Sequence, residues 1–266
     1  MNDVRPAAVA GSFYPADGAR LARDVDAMLA SAPARAGESP KALVVPHAGY
    51  VYSGPIAASA YATVAELAGR VTRVVLVGPA HRVALRGVAA PSATKLRTPL
   101  GDLDVDVEAL DRARAPRDDF AHAREHSLEV QLPFLQRVFG PSLRVCPIVC
   151  GRASTEEVAS VLRALWGGDE TLVVVSSDLS HDLPYAVGRR ADERTAEKIL
   201  ALDEGIDGEG ACGYVGLRAL LAVAREKGLR PKLLDLRSSG DTAGPRDEVV
   251  GYGAFAFAEP AGEGAS

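Results

Sequence analysis

The sequence predicts an α/β fold built as one domain. Short apolar runs rich in β-branched residues recur along the chain, at Ala42 to Val45, Arg73 to Val77 and Leu172 to Val175, each bounded by turn residues. Runs of this kind, apolar throughout apart from Arg73, suit strands buried on both faces. Between them lie segments with helical spacing, so strand-like and helix-like stretches alternate. No Pro/Gly/Ser-rich linker divides the 266 residues, and the single domain is expected to span 1–266 with an ordered core of about 5–258.

Residues 5–15 read as an ordered extended arm closed by Pro15. Leu21, Val25 and Leu29 recur every four residues beside Met28 and predict an amphipathic helix. Residues 31–40 read as a loop before the strand at 42–45. A helix is expected over 55–68 and a strand over 72–77. Residues 87–106 are turn-rich, with small strands expected around Thr98 to Asp102. Leu110 marks a short helix, and 115–121 a loop.

Over 125–139, Leu128, Leu132, Leu135 and Phe139 share one helical face that Pro133 is expected to kink. A strand at 143–149, a helix at 156–166, a strand at 172–175 and a helix at 191–202 follow. After the Gly208 to Gly213 turn come an apolar helix near 217–224, a strand at 232–236, a polar loop at 238–247, a strand at 249–258 and a frayed tail at 260–266.

The net charge of −5 and the lack of basic clusters argue against nucleic acid. No apolar run reaches the roughly 18 residues of a membrane span. The N-terminus has neither the cationic start nor the apolar run of a signal peptide, and three cysteines suit a reducing compartment, so a cytoplasmic location is expected.

Three of the five histidines follow strands: His47 after Pro46, His81 after Gly78-Pro79-Ala80, and His181 after Ser176-Ser177-Asp178-Leu179-Ser180. Open α/β sheets place ligand sites at those strand ends. His47 and His81 could therefore converge on one ion, with His181 completing the set or acting as a general base. Asp178 could orient an imidazole or bind the ion itself. Singly, each histidine reads more simply as a satisfied loop residue.

Cys212 is expected at or just before a helix N-terminus, where backbone N–H groups favour a thiolate. Its plainer reading is a small buried apolar residue, which is also the reading for Cys146 and Cys150. The letters G-x-G-x-x-G at Gly208 to Gly213 lack a preceding strand, so no dinucleotide site is expected. Acidic Glu125 and Glu129 around His126 suit a helix start, with His126 at most an outer partner of the site and His122 at the surface.

Several segments occur together and in order: Val9 to Tyr14, Pro46 to Tyr50, Gly78 to His81, Glu125-His126-Ser127-Leu128-Glu129, Ser176 to His181 and Cys212-Gly213. As a set they resemble the Memo family, whose prokaryotic branch is called AmmeMemoRadiSam system protein B. The resemblance covers about residues 5–258. It implies a central mixed sheet flanked by helices, similar to class III (LigB-type) extradiol dioxygenases, which hold non-haem iron(II) through two histidines and a carboxylate.

By that similarity His47 and His81 take the imidazole positions, Cys212 replaces the carboxylate, and His181 with Asp178 stands at the acid/base position. The thiolate departs from the dioxygenase pattern and shifts preference towards copper or zinc. The resemblance implies iron(II), copper or zinc as cofactor, a small molecule or peptide in the pocket, and a radical SAM protein and a third system protein as partners. Two functions are thus expected: a redox enzyme of unknown substrate, or a non-catalytic binding protein using the same pocket with Tyr14, Tyr50 and Tyr52 as contact surface. A metal-dependent hydrolase ranks below both, since no hydrolase motif is present.

Overall fold

The computed structural model describes residues 3–33 and 39–260. Residues 34–38 of the expected loop and 261–266 of the expected tail lie outside the described residues. Ten strands form one sheet: β1 Val4–Arg5, β2 Ala42–Val45, β3 Arg73–Pro79, β4 Val88–Ala89, β5 Lys95–Thr98, β6 Gly101–Val105, β7 Arg144–Cys150, β8 Thr171–Ser176, β9 Arg230–Ser238 and β10 Gly251–Ala258. Their order is β1-β5-β6-β7-β3-β8-β2-β10-β9, with β4 pairing beside β7. The sheet is mixed: β7, β3, β8 and β2 run parallel, while β10 and β9 close one side antiparallel.

The helices are α1 Gly18–Ser31, α2 Tyr50–Tyr61, α3 Val107–Arg112, α4 Asp119–Ala123, α5 Leu132–Phe139, α6 Thr155–Leu165, α7 Tyr185–Leu200 and α8 Tyr214–Glu226. α1, α2 and α5 pack on one another, α2 also against β2, β9 and β10. α8 covers β3 and β8 and packs on α6. The central strands are enclosed by these layers, and every residue of β2 and β8 is buried. That burial explains why they read as unbroken apolar runs. No described helix is long and apolar enough to cross a membrane.

Several boundaries differ from the sequence expectations for local reasons. α2 begins at Tyr50, because Gly49 serves as its N-cap and the Tyr50 N–H donates to Phe13 O at 2.8 Å. Pro55 therefore lies inside the helix rather than at its start. Pro133 kinks nothing, since a 3₁₀ turn at Glu129–Gln131 precedes α5 and leaves Pro133 in its first turn, where no N–H is needed. The expected loop at 115–121 runs into α4, capped by Asp118 accepting from the Ala121 N–H at 3.0 Å. α7 starts at Tyr185 after Pro184, ahead of its apolar periodicity.

His122, expected at the surface, is buried, and its Nε2–H donates to Ala89 O at 2.9 Å. The arm before α1 is locked beneath it. Arg5 donates to His122 O and Glu125 O and pairs with the buried Glu129 carboxylate, which also accepts from the N–H groups of Ala8 and Val9 and from Tyr14 Oη. Glu129→Gln is expected to destabilise the fold by about 3 kcal/mol, since it leaves the Arg5 charge buried without its partner. Urea unfolding measures this, and an unchanged midpoint would contradict it.

Burial holds the His122 pKa down to about 4, the bond to Ala89 offsetting only part of that cost. The unfolded chain then binds a proton near pH 6.5 that the folded chain refuses until about pH 4, so this residue makes stability fall with acidification across that window. A His122→Asn variant should show a correspondingly flatter loss of stability between those pH values. Parallel curves for the two proteins would count against the buried, neutral imidazole.

Candidate metal centre

Three neighbouring parallel strands, β3, β8 and β2, end at one edge of the sheet and deliver the site. His47 follows β2, His81 follows β3, and Ser176, Ser177 and Asp178 leave β8 between them. A fourth segment, Glu125 to Gln131, lies across the tip of β3. Gly78 permits that approach, because a Cβ there would stand 2.9 Å from Ser127 Oγ. The turn carrying Cys212 seats against β8 in the same way: a Cβ at Gly213 would lie 2.7 Å from Ser176 O.

His47, His81 and His126 come together as a group whose ligand atoms all lie within 4.8 Å of one another. Ring centroids are 5.2 Å apart for His47 and His81, 5.6 Å for His47 and His126, and 4.8 Å for His81 and His126, the last pair stacked. Phe13, at the end of the N-terminal arm, packs on His126 at 4.7 Å.

The hydrogen bonds settle two tautomers. Ser176 Oγ donates to Ser127 O at 2.6 Å and accepts from Gln131 Nε2 at 2.9 Å. With its proton committed, it can only accept from His47 Nδ1, also at 2.9 Å, which leaves the His47 Nε2 lone pair directed at Cys212 Sγ. His81 Nδ1 lies 3.1 Å from Glu125 Oε1, and an ionised carboxylate only accepts, so Nδ1 carries a hydrogen and Nε2 is the nitrogen turned to the group. Burial disfavours the Glu125 charge, but hydrogen bonds from the His81 ring and from the Ser127 and His81 N–H groups more than offset that and hold its pKa well below the usual carboxylate range. His126 Nδ1 lies 3.3 Å from the same carboxylate but off the hydrogen-bond direction, leaving it buried without a partner.

Burial is the leading influence on the other groups. It keeps His47 neutral, its pKa far below the ordinary value, with His81 and His126 adding to the effect. His126 is lowered to about 4 by burial. The 4.0 Å approach of His47 Nε2 to Asp178 is accordingly not an ion pair. Asp178 itself is raised to about 6 by burial, against the N–H of His47, which donates to its Oδ1 at 2.7 Å.

Cys212 stands just before α8, as expected, but burial and then the Asp178 carboxylate push its thiol up to about 12. The protein alone therefore does not make a thiolate there. Its Sγ lies 3.4 Å from His47 Nε2. Two ligands of one tetrahedral ion, an imidazole nitrogen and a thiolate, stand roughly 3.6 Å apart. The donors thus suit a cation, which would lower the thiol pKa as it bound.

Of the residues marked in the sequence, the structure brings His47 and His81 together in one imidazole group, while Cys212 and Asp178 stand against His47 alone. His181 is exposed, with its Nδ1–H donating to Leu179 O at 2.9 Å. His126 moves from an outer position to one of the three central imidazoles, a place that its acid-rich surroundings disguised as a helix start. Of the two residues that orient His47, Ser176 was marked only as the start of the Ser176 to His181 segment, and Gln131 carried no sequence signal. Tyr14 and Tyr50 are buried and bonded to Glu129 and to Val130 O, so of the three tyrosines only Tyr52 reaches the surface. Cys146 and Cys150 are buried, as expected. The Gly208 to Gly213 turn follows α7 and no strand, in keeping with the absence of a dinucleotide fingerprint.

Comparison with known proteins agrees with this architecture. A sequence profile described as Memo-like protein matches residues 5–256. A MEMO1 family protein of Ignicoccus hospitalis is 38% identical, covering 97% of this chain and 99% of its own length. Proteins of the same description from Pyrobaculum arsenaticum and Sulfolobus acidocaldarius are 36% and 35% identical, each covering 96% of this chain and 99% and 100% of their own lengths. With the match running from the N-terminal arm to the last strand, the chain belongs to the Memo family.

Proposed function

We propose that this protein is a cytoplasmic metal-dependent redox protein with a dioxygenase-like site, holding iron(II), or copper or zinc in its place, through His47, His81 and Cys212, with His126 as a further imidazole donor. The observation that carries this reading is that His47 and His81, within one imidazole group, each have Nδ1 engaged by a hydrogen bond that orients the ring and leaves Nε2 as the ligating nitrogen. Iron(II) at this position would supply one-electron chemistry towards dioxygen.

The chain's own residues do the rest. Glu125 and the Ser176–Gln131 pair hold the two imidazoles in their ligating tautomers. Cys212 contributes the only sulfur donor beside them. His181, with Nδ1–H tied to Leu179 O, presents Nε2 as a base in its neutral form. Asp178 holds the backbone of His47 and, with a pKa near 6, is able to take up or release a proton around neutrality. The substrate class is a small molecule or peptide entering beside Cys212. A radical SAM protein and a third system protein are proposed as cellular partners on the family resemblance.

Elemental analysis of anaerobically purified protein is expected to find near-stoichiometric iron or copper in wild type and little in Cys212→Ala. Unchanged metal in that variant would remove Cys212 from the ligand set, and loss in His126→Ala alone would make the site a three-imidazole one. No metal in any of them, even after reconstitution, would favour a non-catalytic binding protein. Glu125→Gln should weaken metal binding by roughly 10–100-fold in competition with a chelator, because it removes the carboxylate that orients His81. Equal affinity would mean that Glu125 serves the fold alone.

A further inference from the structure

Beside the metal group opens a cleft of about 490 Å³ whose lining includes Ala80, Arg86, Arg152, Cys212 and Tyr214. Arg86 and Arg152 face each other across an isolated parallel bridge, held by the Gly87 N–H to Arg152 O and the Arg152 N–H to Leu85 O, both 2.9 Å. Both side chains are exposed, and the bridge puts them on the same face, where an anion held between them would offset the repulsion of like charges. Among the described residues neither guanidinium has a carboxylate or hydrogen-bond partner, whereas Arg73, Arg163 and Arg225 are all paired with acids. Glu156 and Glu157, which line the adjoining cleft with Arg86, are committed to Arg163 and to the Ser154 cap.

The first turn of α8 forms another part of the lining. No side chain caps that helix, and its Val215 and Gly216 line the same cleft. Their N–H groups have no partner among the described residues. A helix start of this kind adds partial positive charge to the two full ones.

We infer that this cleft binds a small oxyanion, the carboxylate or phosphate group of the molecule acted on, between Arg86 and Arg152. The charge would be anchored there, and the remainder of the molecule would extend along Ala80 and Tyr214 to Cys212. The assignment of this molecule as substrate rests on the metal-centre reading. The anion site itself does not.

The test is calorimetric titration of the full chain with inorganic phosphate and, separately, with succinate, at constant ionic strength set by chloride. Wild type is compared with the Arg86→Gln/Arg152→Gln double variant, and metal content is measured on the same samples. Saturable binding of at least one anion, weakened about tenfold or more in the double variant, is expected, since charge-assisted bidentate contacts are the strong ones. Tighter phosphate binding assigns a phosphate ester, and tighter succinate binding an organic acid.

Failure of both anions to bind wild type, or equal binding to the double variant, overturns the site. Far-ultraviolet circular dichroism and an unchanged melting temperature without anion confirm that the variant is folded. A variant that unfolds is replaced by the two single substitutions, either of which should weaken binding. Anion binding without metal uptake would overturn the metal centre and leave the cleft standing, while metal uptake without anion binding would do the reverse.

Discussion

A hydroxyl has one proton to give and two lone pairs to offer, and at Ser176 all three are used. The proton goes to Ser127 O, and the lone pairs take hydrogen atoms from Gln131 and His47. One saturated oxygen thereby joins the end of β8, the tip of β2 and the segment that lies over β3. Gln131 extends the network, accepting from Tyr61 Oη and donating to Pro46 O. Every member is buried, so a missing contact would leave a polar group unsatisfied at the centre of the protein. The placement of the imidazoles is in this sense decided by the fold's own polar accounting before any ligand arrives.

The same burial sets the electrostatics. Burial beneath apolar strands resists charge of either sign, so His47 and His126 are held neutral, Asp178 resists ionisation and Cys212 resists losing its proton. Glu125 is the exception, because four hydrogen bonds converge on its carboxylate, from the His81 ring and from the N–H groups of His81, His126 and Ser127. One fixed negative charge among neutral donors is a setting in which a cation gains more than it would in water. The helix N-terminus next to Cys212 does not outweigh desolvation of the thiol, which is why the sequence argument from the helix dipole failed for this residue.

Much of the architecture was legible because its signal is local. Buried parallel strands must be apolar throughout, so β2, β3 and β8 announced themselves, and their tips identified His47, His81 and the Asp178 segment. Cys212 was expected at or just before a helix start, and α8 begins two residues later. His126 and His122 were misjudged for the opposite reason. His122 lies in the short α4 and His126 in the loop after it, and distant chain composes their surroundings: Arg5, Phe13 and Ala89 enclose them, and no periodicity in residues 115–131 encodes those contacts. Pro133 illustrates a subtler error, in which the right residue was assigned the wrong helical position because a 3₁₀ turn shifted the start of α5.

The N-terminal arm brings this long-range dependence to the metal group. Glu129, sequestered beneath the arm, receives hydrogen bonds from Arg5, Ala8, Val9 and Tyr14, and between these anchors and α1 the arm lays Phe13 on His126. None of the arm's described residues belongs to the imidazole group, yet through Phe13 the arm covers one side of His126. Proteolytic trimming past Arg5, or an expression tag that draws the first strand away from β5, would loosen that cover and expose His126 to water while leaving every donor atom of the group in the chain. A preparation shortened in this way would have an intact ligand inventory and a compromised centre, so the integrity of the first dozen residues governs how any measurement on the site should be read.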